Sequence, residues 1–124
     1  MRLRFDAREL ELLRGAEQLR GAAIARSSGR DELRTALQLA KAGQKVGRSA
    51  AGASVSLDES ELALLVEALR FSAREVPAVG HLEAARRDAI VAAFPELGES
   101  SWRSFALGRE LEAVAARLAA ALES

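Results

Sequence analysis

Cysteine and tyrosine are absent from this 124-residue chain, and histidine occurs once. Disulfides, thiol nucleophiles, zinc–cysteine sites and clusters of imidazole ligands are thereby excluded. Proline occurs twice and aromatic residues five times, whereas there are 27 Ala and 19 Leu, a composition that favours helices over strands. No apolar run approaches the roughly 18 residues that span a bilayer, and the Ala-rich stretch from Ala113 to Leu122 is interrupted by Arg117. Met1 is followed by Arg2, Leu3, Arg4 and Phe5 rather than by a long apolar segment, so no secretory signal is visible and a cytoplasmic location is expected. The length fits one domain, residues 1–124.

An internal repeat organises the chain. Residues 6–18 align with residues 58–70 at an offset of 52, with Asp6/Asp58, Glu9/Glu61, Leu10/Leu62, Leu12/Leu64, Leu13/Leu65 and Ala16/Ala68 identical. Each copy opens with D-x-x-E. The Asp can accept from the first free amides while the Glu reaches back to the cap, so both copies mark helix starts. Before each cap the residues alternate, Arg2-Leu3-Arg4-Phe5 and Ser54-Val55-Ser56-Leu57, which predicts two short strands. Pairing within one chain and pairing with a twin in a second chain are both open at this point.

Punctuation supplies the other elements. A first helix is predicted over 7–25, with Leu12, Ala16, Leu19 and Ala23 on one stripe. A second starts near Ser28, whose S-x-x-D pattern suggests a cap, turns Leu33, Ala36, Leu37 and Ala40 inward, and ends near Gly43. Glycines 43, 47 and 52 mark a flexible link over 43–53. A third helix covers 59–74 and breaks at Pro77; a fourth covers 80–94 and stops at Pro95. The last, over 101–122, carries Leu107, Leu111, Val114, Leu118 and Leu122 at helical spacing, with Trp102 and Phe105 in its first turns as anchors in a core or interface. The expected fold is mainly α: about five helices, two short strands before helices 1 and 3, and two strand-helix-helix halves, 1–42 and 54–94, followed by a C-terminal helix.

The formal net charge is zero, but it is segregated. Residues 1–56 hold eleven basic and six acidic residues, and residues 57–124 hold seven and twelve. The candidate phosphate contacts are Arg2, Arg4, Arg20, Arg26, Arg30, Arg34, Lys41, Lys45 and Arg48. The preferred expectation is that this basic half meets the acidic half, within a monomer or across a dimer. Sixteen of the 18 basic residues are Arg, which suggests codon bias rather than local selection.

The order strand, helix, turn, helix from Arg2 to Ala42, with Arg2 and Arg4 alternating with apolar residues, resembles a ribbon-helix-helix DNA-binding unit over about a third of the chain. That resemblance implies that Arg2 and Arg4 read a duplex from a ribbon formed by two chains. The first helix here is longer than in that unit, the turn Ser27-Ser28-Gly29 is only loosely similar, and the second copy offers Ser54 and Ser56 instead of cations.

Other motifs fail on chemistry. Gly43-Gln44-Lys45-Val46-Gly47-Arg48-Ser49 has three residues between glycines where a phosphate loop needs four, and Arg48 where it needs Lys. His81 and Glu83 form an H-x-E without the cysteines of a zinc deaminase, and Asp88 lies two helical turns from His81, too far to orient it. Glu9, Glu61, Glu110 and Glu112 have ready roles as caps and solvated faces. The sequence therefore predicts a non-catalytic interaction or assembly protein without cofactor or metal, forming a homodimer because its helical stripes offer more apolar face than one thin layer covers. Another protein is a further possible partner, a membrane is not, and DNA binding through the basic half is the alternative.

Overall fold

The computed structural model describes residues 1–27, 29–99 and 101–123. Strand β1 (Arg2–Arg4) leads into α1 (Ala7–Ala25), which is followed by α2 (Arg30–Gly47). Strand β2 (Ser54–Ser56) leads into α3 (Glu59–Glu75), a 3-10 turn (Val76–His81), α4 (Ala84–Ala93) and the short α5 (Glu96–Glu99). A second 3-10 turn (Ser101–Arg103) enters α6 (Ser104–Glu123). Both predicted strands and both predicted helix starts are present, and the fold is mainly α. None of the described helices is long and apolar enough to cross a membrane.

Both D-x-x-E elements form complete capping boxes. The Asp6 carboxylate accepts from the Glu9 amide at 2.8 Å and Glu9 accepts from the Asp6 amide at 3.0 Å; Asp58 and Glu61 repeat the exchange at the same distances. The two strands pair antiparallel within the chain, Arg2 with Ser56, Leu3 with Val55 and Arg4 with Ser54. Leu3 and Val55 are equivalent in the repeat and sit opposite each other, so a local two-fold axis passes through that pair. Their side chains face the helices, and the equivalent Phe5 and Leu57 are both fully buried.

Helices α1 and α3 cross at the centre of the core. Helix α2 packs along α1 and touches α3; α6 packs along α3 and the first 3-10 turn; α4 lies on α1. The helix that packs along α3 is thus α6, which stands to α3 as α2 stands to α1. The two outer helices reach across to the opposite capping box in the same way. Lys45 of α2 pairs with Glu61 at the head of α3 at 2.8 Å, and the Arg117 Nε of α6 donates to Glu9 at the head of α1 at 2.8 Å. An offset of 72 residues, from Lys45 to Arg117, also superimposes the buried Leu39, Ala42 and Val46 on Leu111, Val114 and Leu118. Residues 76–103 are an insertion between α3 and its flanking helix.

The packing corrects several expectations. Helix α2 continues to Gly47, so only 48–53 connect the halves; Gly52, at φ +80°, closes that connection by donating its amide to the Phe5 carbonyl at 2.8 Å. Gly43 does not end α2 but lets it approach α1: a Cβ there would lie 2.7 Å from Glu17 Cγ. That close approach fixes the rotation of α2, burying Leu39, Ala42 and Val46 while Leu33, Leu37 and Ala40 turn to solvent. The amino-terminal cap of α2 is Gly29, with no side-chain bond, and the cap assigned to Ser28 lies outside the described residues. Residues 80–83 precede α4 as turn and cap, so α4 spans ten residues. Trp102 and Phe105 do not anchor α6 within the chain, being 76% and 67% exposed; Leu107, Leu111, Val114 and Leu118 are buried as predicted.

Candidate nucleic-acid interface

The nine candidate cations separate into two groups. Arg20 crosses from α1 to α3, donating to Glu67 at 2.9 Å with its guanidinium 4.6 Å from the centre of the Phe71 ring. Lys45 pairs with Glu61. These two meet the acidic half, as expected of the whole set. Arg2, Arg4, Arg26, Arg30, Arg34, Lys41 and Arg48 are exposed, and among the described residues none of them has a carboxylate within ion-pair distance. Four carboxylates of the acidic half meet other cations: Glu75 meets Arg86, Glu112 meets Arg70 at 3.6 Å, and Glu96 and Glu110 meet Arg8 at 3.0 and 2.8 Å. Within one chain, and among the described residues, these seven positions therefore do not meet the acidic half.

Five of the nine cations lie on α2. Arg30, Arg34, Lys41, Lys45 and Arg48 recur at three, four or seven residues, which places them on one side of a helix, opposite the buried Leu39, Ala42 and Val46. The stripe runs from the first residue of the helix to its C-cap, about 27 Å at about 1.5 Å per residue. Asp31 and Glu32 in the first turn, and Lys45 with Arg48 at the end, complement the helix dipole. Leu33 and Leu37, 57% and 72% exposed, lie along the edge of the stripe. Sequence reasoning missed them because Leu33, Ala36, Leu37 and Ala40 have helical periodicity as good as that of the stripe α2 buries.

Arg2 and Arg4 point outward from the ribbon beside Ser54 and Ser56. Because β1 pairs with β2 of the same chain, the ribbon does not arise from two chains as the ribbon-helix-helix resemblance implied. Arg26 caps α1, its amide donating to the Ala23 and Ile24 carbonyls, and its side chain is exposed.

Neither a family model, nor a curated protein, nor a solved structure matches the chain. The assignment of the site therefore rests on its own geometry.

A cleft of about 350 Å³ between α1 and the α4–α5 corner is lined by Arg8, Gly15, Phe94 and Glu96. Its central cation is already committed. Arg8 meets Glu11, Glu96 and Glu110 at 3.2, 3.0 and 2.8 Å, and the Glu110 bond above all raises the Arg8 pKa while lowering that of Glu110. His81 is exposed at the end of the first 3-10 turn. Among the described residues no three carboxylate or imidazole groups converge as metal ligands.

Proposed function

We propose that the protein is a non-catalytic cytoplasmic binding protein that tracks the phosphate backbone of a duplex nucleic acid with the outer face of α2. One observation carries the reading: Arg30, Arg34, Lys41 and Arg48 share a helix face without a counter-charge among the described residues, while Arg20 and Lys45, from the same basic half, are neutralised inside the fold. Phosphates 1.7 Å apart along a duplex axis release counterions to such a stripe, and the zero net charge of the chain confines that attraction to one face. With four or five cations engaged, the logarithm of the binding constant falls with the logarithm of salt with a slope of about −4.

Fluorescence anisotropy with a labelled duplex, titrated from low to physiological salt, tests this. Binding with that slope, lost in Arg30→Glu/Arg34→Glu and retained in Leu37→Ser, is the expected result. Absence of binding at low salt, or equal binding by the charge-reversed variant, would overturn it.

A second reading has its own observation. Leu33 and Leu37 have no role on a phosphate backbone, yet leucines one turn apart, flanked by cations, suit an acidic amphipathic helix of another protein. On that reading Leu37→Ser abolishes binding as fully as the charge reversal.

A further inference from the structure

The outer face of α6 occupies the place that the basic stripe occupies on α2, but its composition is different. At the 72-residue offset Leu33, Arg34, Lys41 and Arg48 correspond to Phe105, Ala106, Ala113 and Ala120. Phe105, Ala106, Ala113, Ala116 and Ala120 are all exposed, as is Trp102 in the turn leading into the helix. A solvent-facing stripe this rich in apolar side chains, with Trp102 and Phe105 largely uncovered, is the signature of an interface.

We propose that a second copy of this chain covers it, the two α6 helices packing antiparallel about a two-fold axis. The face is self-complementary in the way such an axis demands. Its amino-terminal end is bulky, Trp102 and Phe105, and its carboxy-terminal end is small, Ala113, Ala116 and Ala120. Antiparallel pairing sets each bulky end on the other copy's small end, and the alanines let the helices approach closely. In the register that places Phe105 against Ala116 of the partner subunit, Arg109 meets Glu112 of the partner subunit, whose carboxylate Arg70 approaches only to 3.6 Å within its own chain, and the reciprocal pair forms across the axis. The stripe on α2 could not pair with itself in this way, since Arg30, Arg34, Lys41 and Arg48 would face the same four cations.

One helix face is small beside the roughly 800 Å² per partner of a standard interface, so association in the micromolar range is expected. The arrangement does not depend on the nucleic-acid reading.

Sedimentation equilibrium of the full chain between about 10 and 200 micromolar tests the proposal. The expected result is reversible doubling of mass. Phe105→Glu and Ala116→Glu should each weaken it at least about tenfold with the helical circular dichroism unchanged. Arg109→Glu and Glu112→Arg should each weaken it, and the double exchange should restore it. A monomer throughout this range would overturn the proposal. So would a dimer that survives Phe105→Glu and Ala116→Glu, or one abolished by Leu37→Glu instead, which would place the second copy on α2.

Discussion

Helices α2 and α6 hold the same station in the two halves and face solvent with opposite chemistry. Each packs on the helix that follows a strand and a capping box, and each sends one cation to the capping glutamate of the other half. Their buried residues correspond, Leu39 with Leu111 and Val46 with Leu118, because both fill one kind of groove. Their outward residues do not: cations on α2, alanines and Phe105 on α6. Burial constrains the inner stripe of such a helix, and the solvent side is left to specialise, so the working surfaces of this protein are found where the two halves stop resembling each other.

The largest effects should test the shared inner stripes. Leu39→Ala and Leu111→Ala remove fully buried side chains at corresponding positions and should each cost about 3 kcal/mol in urea denaturation. Costs differing by more than about 2 kcal/mol would break the equivalence of the two helices. Gly15→Ala comes next. A Cβ there would lie 2.8 Å from the Ala93 carbonyl and collide with the Phe94 ring, so it should cost about 1–3 kcal/mol by lifting α4, part of the insertion, off α1.

The two cross-half cations should differ more modestly. Arg117 donates to Glu9 at 2.8 Å and to the Arg4 carbonyl at 3.4 Å, and lies over the Phe5 ring at 5.6 Å, whereas Lys45 pairs with Glu61 and lies near the Asp58 carboxylate. Both side chains are 44% exposed, so Arg117→Ala should cost about 1 kcal/mol and Lys45→Ala less, by the same denaturation measurement. Arg34→Ala, at an exposed side chain with no ion pair among the described residues, should leave stability within about 0.5 kcal/mol while weakening duplex binding.

A pH titration of stability separates carboxylates of opposite sign. Asp58, held down chiefly by the Ser60 hydroxyl and the Glu61 amide, and Glu110, held down by Arg8, have lowered pKa values. Their contributions are present above the ordinary carboxylate range near 4 and are lost as pH falls through the lowered values. Burial raises Glu17, which opposes folding once pH rises through its raised value. Glu17→Gln should therefore stabilise the chain at neutral pH and do so less in acid, followed by thermal melts.

Much of the fold was legible in the sequence because it is written in local signals. The D-x-x-E boxes, the alternation before them, the stops at Pro77 and Pro95 and the spacing of Leu107, Leu111, Val114 and Leu118 act within a few residues. The rotation of α2 was not, because two stripes of helical periodicity compete on one helix, and the one that packs lies beside the close approach at Gly43. The kinship of α2 and α6 was hidden by the insertion, which moves the correspondence from an offset of 52 to one of 72. Of the candidate site, the cations were legible as a list. Their division into neutralised and free groups required the positions of Glu61 and Glu67 on α3.

The ribbon also bears on the order of folding. Joining β1 to β2 closes a loop of some fifty residues, at an entropic cost of roughly 3.5 kcal/mol for a flexible chain, against the few hydrogen bonds of two three-residue strands. That balance turns favourable only after α1 and α2 have formed their hairpin and drawn the ends of the loop together. Strand pairing is then a late event that locks an existing helical core, and its amides should be among the first in the folded protein to exchange with solvent.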